Sequence, residues 1–322
     1  MVLALTVGLC LLLVSANVAH ATEPAATTEP AATTESAALL PQGIPAYYDV
    51  WVGGTQVTSD NMGDVLAGAA NAANTGKVTD DPTTATLVLG DGTTPVSIAG
   101  EANVHHGAAI ESAGDITFDV ESTTTITGAS CDTGSVAGTY VKGDLTHIAE
   151  EELAETAGAG KDVSDAGNFS AGIYVSGDYY LGIEGTTKYM NSTADATGGN
   201  GALWSAGVLV DGTVTFYFEG TLIAHGADNP GGTSVGFRAK GVRLTGYPVE
   251  AHAYGGAASI SAGIYLSDPD VVGSTVVSVE HFSDFVAQGG SATRESYGIR
   301  CADATDLVLL PAQAGRVVAE ER

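Results

Sequence analysis

From about residue 107 onward, apolar positions alternate with polar ones at period two, the mark of strands with one buried face. The alternation recurs in register. GAAIESAGD from Gly107, VAGTYVKGD from Val136, SAGIYVSGD from Ser170 and SAGVLVDGT from Ser205 are followed by SVGFRAKGV from Ser234, SAGIYLSDP from Ser261 and SYGIRCADA from Ser296. The third residue of each run is Ala109, Gly138, Gly172, Gly207, Gly236, Gly263 or Gly298, at steps of 29, 34, 35, 29, 27 and 35 residues. A period of roughly thirty residues, built of short β-rich runs and Gly turns, belongs to stacked repeats. An antiparallel sandwich would instead turn every 8–12 residues or so. The pattern predicts an all-β fold: a right-handed parallel β-helix solenoid of about seven coils over residues 101–322, with three strands in each coil.

Period two also assigns faces. Ile110, Thr139, Ile173, Val208, Phe237, Ile264 and Ile299 form one inward column, and Ser112, Val141, Val175, Val210, Ala239, Leu266 and Cys301 a second. Between them Glu111, Tyr140, Tyr174, Leu209, Arg238, Tyr265 and Arg300 are expected to face out. A second strand follows each Gly-Asp turn, and a third ends near the Gly-Gly pairs Gly198-Gly199, Gly255-Gly256 and Gly289-Gly290. Residues 44–100 carry further short strands and a Gly53-Gly54 turn, and are expected to cap the N-terminal end of the stack, whose open edge would invite aggregation. Within them the Ala-rich run Asp60 to Asn74 predicts one short helix. The run Ile148 to Thr156 predicts a helical excursion with Glu150, Glu151, Glu152 and Glu155 in solvent.

The first 21 residues change the picture of where the chain goes. Val2 to Val14 is almost wholly apolar and Ala19-His20-Ala21 is a small-x-small cleavage site, which together read as a secretory signal peptide. The apolar run is too short to span a bilayer, so no membrane span is expected in the mature chain. Residues 22–43, with a tandem EPAATT, have no apolar period and read as a low-complexity linker. Net charge is -27, from 11 Lys+Arg against 38 Asp+Glu. That balance argues against nucleic acid, whose phosphates require clustered cations, and against an anionic leaflet.

YDVWVGGTQVTSDNMGDVL, then KVTDDPTTATLVL, together with the S-x-G-I-Y-x-x-G-D repeat and its Gly-Gly turns, resembles secreted surface proteins of anaerobic Gram-positive bacteria with β-helical, carbohydrate-binding-domain-like repeats. The likeness runs from about Tyr47 to Ala304. It implies a surface location and a polysaccharide or surface glycoconjugate as partner. The repeats drift at Val208, Phe237 and Pro269, and the closing LLPAQAG holds only part of a sortase signal, so covalent wall anchoring is not expected.

Pectin-cleaving enzymes share such a fold, and their chemistry needs two or three converging carboxylates. Asp80-Asp81 sits beside Pro82 in turn chemistry, and Arg238-Ala239-Lys240 lacks the acidic motifs that would accompany a catalytic Arg-x-Lys. The seven His show no zinc spacing, and no Gly-x-Ser-x-Gly elbow is present. Cys131 and Cys301 lie several coils apart, too far for a bridge, and are expected to be free thiols. A catalytic constellation is therefore not expected. Two features carry candidate binding chemistry. Tyr140, Tyr174, Arg238, Tyr265 and Arg300 form an outward ladder whose rings suit sugar faces and whose guanidinium groups suit hydroxyls or carboxylates, although Tyr and Arg also make ordinary cross-strand ladders. Asp115, Asp144 and Asp178 stack in successive Gly-Asp turns, where like charges call for relief by a cation such as Ca2+ unless turn geometry alone selects them. The leading expectation is a secreted, monomeric, non-catalytic glycan-binding surface protein or adhesin. A degenerate polysaccharide lyase or hydrolase and a purely structural stalk are the alternatives.

Overall fold

The structure, a computed structural model, describes residues 46–149, 151–158, 160, 168–182, 193–217, 220–244, 249–266, 277–279, 282–301 and 316–320. The expected leader, the linker, Glu150 and the LLPAQAG segment lie outside the described residues. The described chain is all-β, gathered into three long and mainly parallel sheets.

The first sheet runs, edge to edge, through Thr55–Thr58, Tyr47–Val52, Ile110–Ser112, Val136–Val141, Phe169–Val175, Trp204–Val210, Asn229–Ala239, Ala258–Leu266 and Ala292–Cys301. The second runs through Val78–Asp81, Thr86–Leu89, Ile116–Val120, Leu145–Ala149, Tyr179–Leu181, Thr213–Phe216, Gly241–Leu244 and Val277–Val279. The third runs through Val96–Ala99, Thr124–Thr127, Leu153–Thr156, Thr193–Thr197, Gly220–His225, Val249–Tyr254, Phe282–Gln288 and Arg316–Glu320. From Ile110 to Cys301 the described strands visit first, second and third sheet in rotation, and each pairs in parallel with the strand one repeat away. Ile173 thus faces both Thr139 and Val208, and Val208 faces Phe237.

Both halves of the S-x-G signature have a steric or hydrogen-bonding cause. A Cβ on Gly172 would sit 2.8 Å from Thr197 N, on Gly207 2.5 Å from His225 N, and on Gly236 2.5 Å from Tyr254 N. The first and third sheets approach so closely there that only glycine fits. The serine two residues earlier ties the same corner. Buried Ser170 accepts from Gly199 N–H at 3.0 Å and donates to the Gly158 carbonyl at 2.7 Å, while Ser234 and Ser261 accept from Gly256 and Gly290 at 2.8 and 2.7 Å. Between the sheets lies one continuous core, in which Ile110, Ile173, Val208, Phe237 and Ile264 are buried as their column predicts, with Ile299 and Cys301 half-buried at the last described rung.

Antiparallel pieces close the N-terminal edge of each sheet. Tyr47–Val52 and Thr55–Thr58 form a hairpin over Gly53 and Gly54, both in the left-handed region, and Tyr47–Val52 pairs antiparallel with Ile110–Ser112. Val78–Asp81 and Thr86–Leu89 form an antiparallel hairpin on the second sheet, Thr86–Leu89 pairing in parallel with Ile116–Val120, and Thr75 bridges Ser97 on the third. The outermost strands at this end are thus Thr55–Thr58, Val78–Asp81 and Val96–Ala99, the first two of them short hairpin strands.

Two helical expectations are corrected. Asp60 to Asn74 is a succession of turns, not a helix, because Asn61 spends its side chain on Thr58 N–H and the Gln56 carbonyl, and Gly68 adopts φ 77°. Ile148 to Thr156 is not a helical excursion either: Leu145–Ala149 and Leu153–Thr156 are rungs of the second and third sheets. In Leu153-Ala154-Glu155-Thr156 the alternation turns Leu153 and Glu155 inward together, so Glu155 is 1% exposed rather than solvated.

Candidate functional site

The outer ladder of the first sheet stands on adjacent rungs as its register requires. Glu111 pairs with Tyr140, Tyr140 with Tyr174, Tyr174 with Leu209, Leu209 with Arg238, Arg238 with Tyr265 and Tyr265 with Arg300. Its surroundings differ from the expected open surface. Ala137, Phe169, Ala171, Tyr174, Ala206, Leu209, Val235 and Ala262 form a second apolar cluster on this side, with Tyr140, Trp204, Tyr265 and Tyr297 packed against it. Tyr174 is 9% exposed, Glu111 4% and Leu209 1%, so the expectation that these three face solvent is corrected.

The cause lies at the glycine. Register pairs run Ala171 to Ala206 and then Ile173 to Val208, with inner and outer faces exchanged across Gly172 and Gly207. The outer side therefore receives not only the central column but also the residues just before the glycine. Phe169, Trp204 and Tyr297 join the ladder this way, and counting back across the glycine with the alternation reset finds them in the sequence.

Most ring faces are taken by neighbours. His106 stacks on Tyr140 at 4.1 Å and 6°, Tyr140 meets Tyr174 at 4.7 Å, and Phe169 meets Tyr174 at 4.4 Å. The Tyr174 hydroxyl donates to Asp211 at 2.8 Å. Burial, reinforced by that carboxylate, pushes its phenol far above the usual tyrosine range. Burial likewise raises Tyr140 and lowers the His106 imidazole. At the N-terminal end Glu111 is held between His105 Nδ1 at 2.9 Å and Lys142 Nζ at 3.0 Å. Tyr140 and Tyr174 thus offer edges, not free faces, to a ligand.

The other half of the ladder is cationic. The Arg238 guanidinium lies 4.6 Å over Trp204, whose ring meets Tyr265 edge-on at 5.0 Å. Arg300 lies 5.2 Å over Tyr265 and 5.1 Å over Tyr297, and its Nη1 is 3.2 Å from Glu295. Arg238 has no carboxylate partner among the described residues, and its Nε is sealed without a hydrogen bond. Stacking orders this guanidinium without neutralising it.

The acidic turns have their own logic. Asp115 Oδ1 accepts from Asp144 N–H at 2.8 Å, Asp144 Oδ1 from Asp178 N–H at 2.8 Å, and Asp178 Oδ1 from Thr213 N–H at 2.7 Å. Each carboxylate caps the next rung, which gives the column a structural reason independent of any cation. Among the described residues no three His, Cys, Asp or Glu side chains converge as a metal site requires. Cys131 and Cys301 are free thiols, the first buried and the second half-buried. No helix among the described residues is long and apolar enough to cross a membrane. Comparison with known proteins matches the chain to no family model, no curated protein and no solved structure.

Proposed function

We propose that the chain is an exported surface protein, a right-handed parallel β-helix of about seven coils, that binds an extended glycan non-catalytically along the outer side of its first sheet. The observation that carries the reading is Arg238, ordered over Trp204 and flanked on adjacent rungs by Leu209 and Tyr265, yet without a carboxylate partner among the described residues. Parallel rungs repeat at about 4.8 Å, so successive ladder groups can meet successive hydroxyls or carboxylates of one extended chain. Recognition then rests on guanidinium N–H groups and phenol edges, the ring faces being occupied. The likeness to surface proteins of anaerobic Gram-positive bacteria and the apolar leader support the extracellular setting.

The occupied faces favour a second reading, a structural stalk whose aromatic ladder only stiffens the sheet. A glycan array probed with the mature protein and with Arg238→Ala separates the two. Glycan binding that is lost in Arg238→Ala, with the melting midpoint of the variant unchanged, is the expected result. Absence of binding by the unaltered protein to any glycan, with or without Ca2+, would leave the stalk.

A further inference from the structure

Among the described residues one rung of the interior differs from its neighbours. Thr139 on the first sheet, His147 on the second and Glu155 on the third all point inward in the same repeat, and all are fully or almost fully buried. The rung before it presents Ile110, Phe118 and Ile126 at the paired positions, and the rung after it Ile173, Leu181 and Ala196. A polar layer is thus enclosed between two apolar ones. Thr139 Oγ1, His147 Nε2 and both Glu155 carboxyl oxygens are sealed from solvent without a hydrogen-bond partner. Buried polar groups in native interiors are nearly all hydrogen-bonded, so several bare ones together call for a guest that satisfies them.

The geometry defines that guest. His147 Nδ1 is bonded to the buried Tyr179 hydroxyl on the next rung. With the phenol as donor, the imidazole carries its proton on Nε2, facing Glu155 Oε1 at 3.8 Å. That separation is too long for a direct hydrogen bond and suits a bridge through one oxygen atom. Room is provided on the third sheet, where Ala196 follows Glu155 at the position that Ile126 fills one rung earlier. We propose that the Thr139–His147–Glu155 rung is an internal hydration site holding one water molecule, which accepts from His147 Nε2–H and donates to the Glu155 carboxyl, with the Thr139 hydroxyl as its third partner. Ordered waters in protein interiors make about three such bonds.

The test is crystallographic, on the full chain and on two variants. The unaltered protein is expected to show a peak within about 2.7–3.2 Å of Thr139 Oγ1, His147 Nε2 and a Glu155 oxygen. Glu155→Gln, which keeps an acceptor and a similar shape, is expected to retain the peak, and Glu155→Leu to lose it. A structure in which Nε2 and Oε1 close to a direct hydrogen bond with nothing between them would overturn the proposal. So would an anomalous signal at that position, which would make the guest a metal ion.

Discussion

Glu155→Gln at this rung tests the electrostatics of the interior most directly. Burial raises the Glu155 carboxyl from 4.5 to about 8 and lowers the His147 imidazole from 6.5 to about 3. The other titratable group facing them is Tyr179, whose phenol burial raises well beyond the range considered. Folded, the pair holds one proton from about pH 3 to about pH 8. Unfolded, it holds two below 4.5, one between 4.5 and 6.5, and none above. The raised carboxyl contributes stability that is fully present below 4.5 and is lost as pH rises towards 8. The depressed imidazole contributes stability present above 6.5 and lost as pH falls towards 3. The two slopes cancel between 4.5 and 6.5, where the pair's contribution is greatest. From 6.5 to 8 the carboxyl acts alone, at about 1.4 kcal/mol per pH unit, or about 2 kcal/mol over the interval.

Glutamine removes the carboxyl's slope and keeps that of His147. The stability of Glu155→Gln relative to the unaltered protein should therefore improve steadily from pH 4.5 to 8, by several kcal/mol in total as an order of magnitude. The assay is urea unfolding of both proteins at pH 5, 6.5 and 8. A crossing of the two profiles, with the variant gaining as pH rises, is expected. Parallel profiles at all three values would refute the reasoning, because they would mean that Glu155 ionises alike in the folded and unfolded chain.

Three further expectations follow from the packing. Leu209→Asp should destabilise the protein by several kcal/mol, comparably with Val208→Asp, because both side chains are almost wholly buried, one on each side of the first sheet; denaturant midpoints check it, and a mild Leu209→Asp would show that the outer cluster is loosely packed. Gly207→Ala should lower the melting midpoint well beyond an ordinary Gly-to-Ala change, since its Cβ would sit 2.5 Å from the His225 backbone nitrogen. Asp144→Ala removes the acceptor of Asp178 N–H and should cost about 1–3 kcal/mol; if the carboxylates serve as rung caps alone, thermal midpoints in millimolar Ca2+ and in NaCl of matched ionic strength should coincide, whereas a Ca2+-specific rise abolished in Asp144→Ala would establish a cation site.

The repeat was legible because its causes are local. Gly172, Gly207 and Gly236 answer to one close approach, and Ile173, Val208 and Phe237 alternate cleanly from that point on. Trp204 and Phe169 escaped a strict period of two because the faces exchange at the glycine, a backbone event that leaves no mark in the hydropathy pattern. Glu155 escaped for another reason. Residues 150–155 compose like a solvated helix, yet parallel pairing with Thr124–Thr127 on one side and Thr193–Thr197 on the other overrides that propensity. The aspartate column was visible as a column, but whether its oxygens meet an ion or the next backbone N–H depends on turn geometry that spacing alone does not carry.

The unlike rung also bears on how the chain finds its alignment. Repeats so similar in sequence can pair one step out of place, and an interior of interchangeable aliphatic side chains penalises such a slip only weakly. A one-step slip confined to the second sheet would carry His147 away from Glu155 and Thr139 and set each against apolar neighbours. The imidazole would then be buried apart from Thr139 and Glu155, which stay together, at a cost of about 1–3 kcal/mol. The polar layer thereby makes one repeat distinguishable from its two neighbours, and disfavours pairing one step out of place.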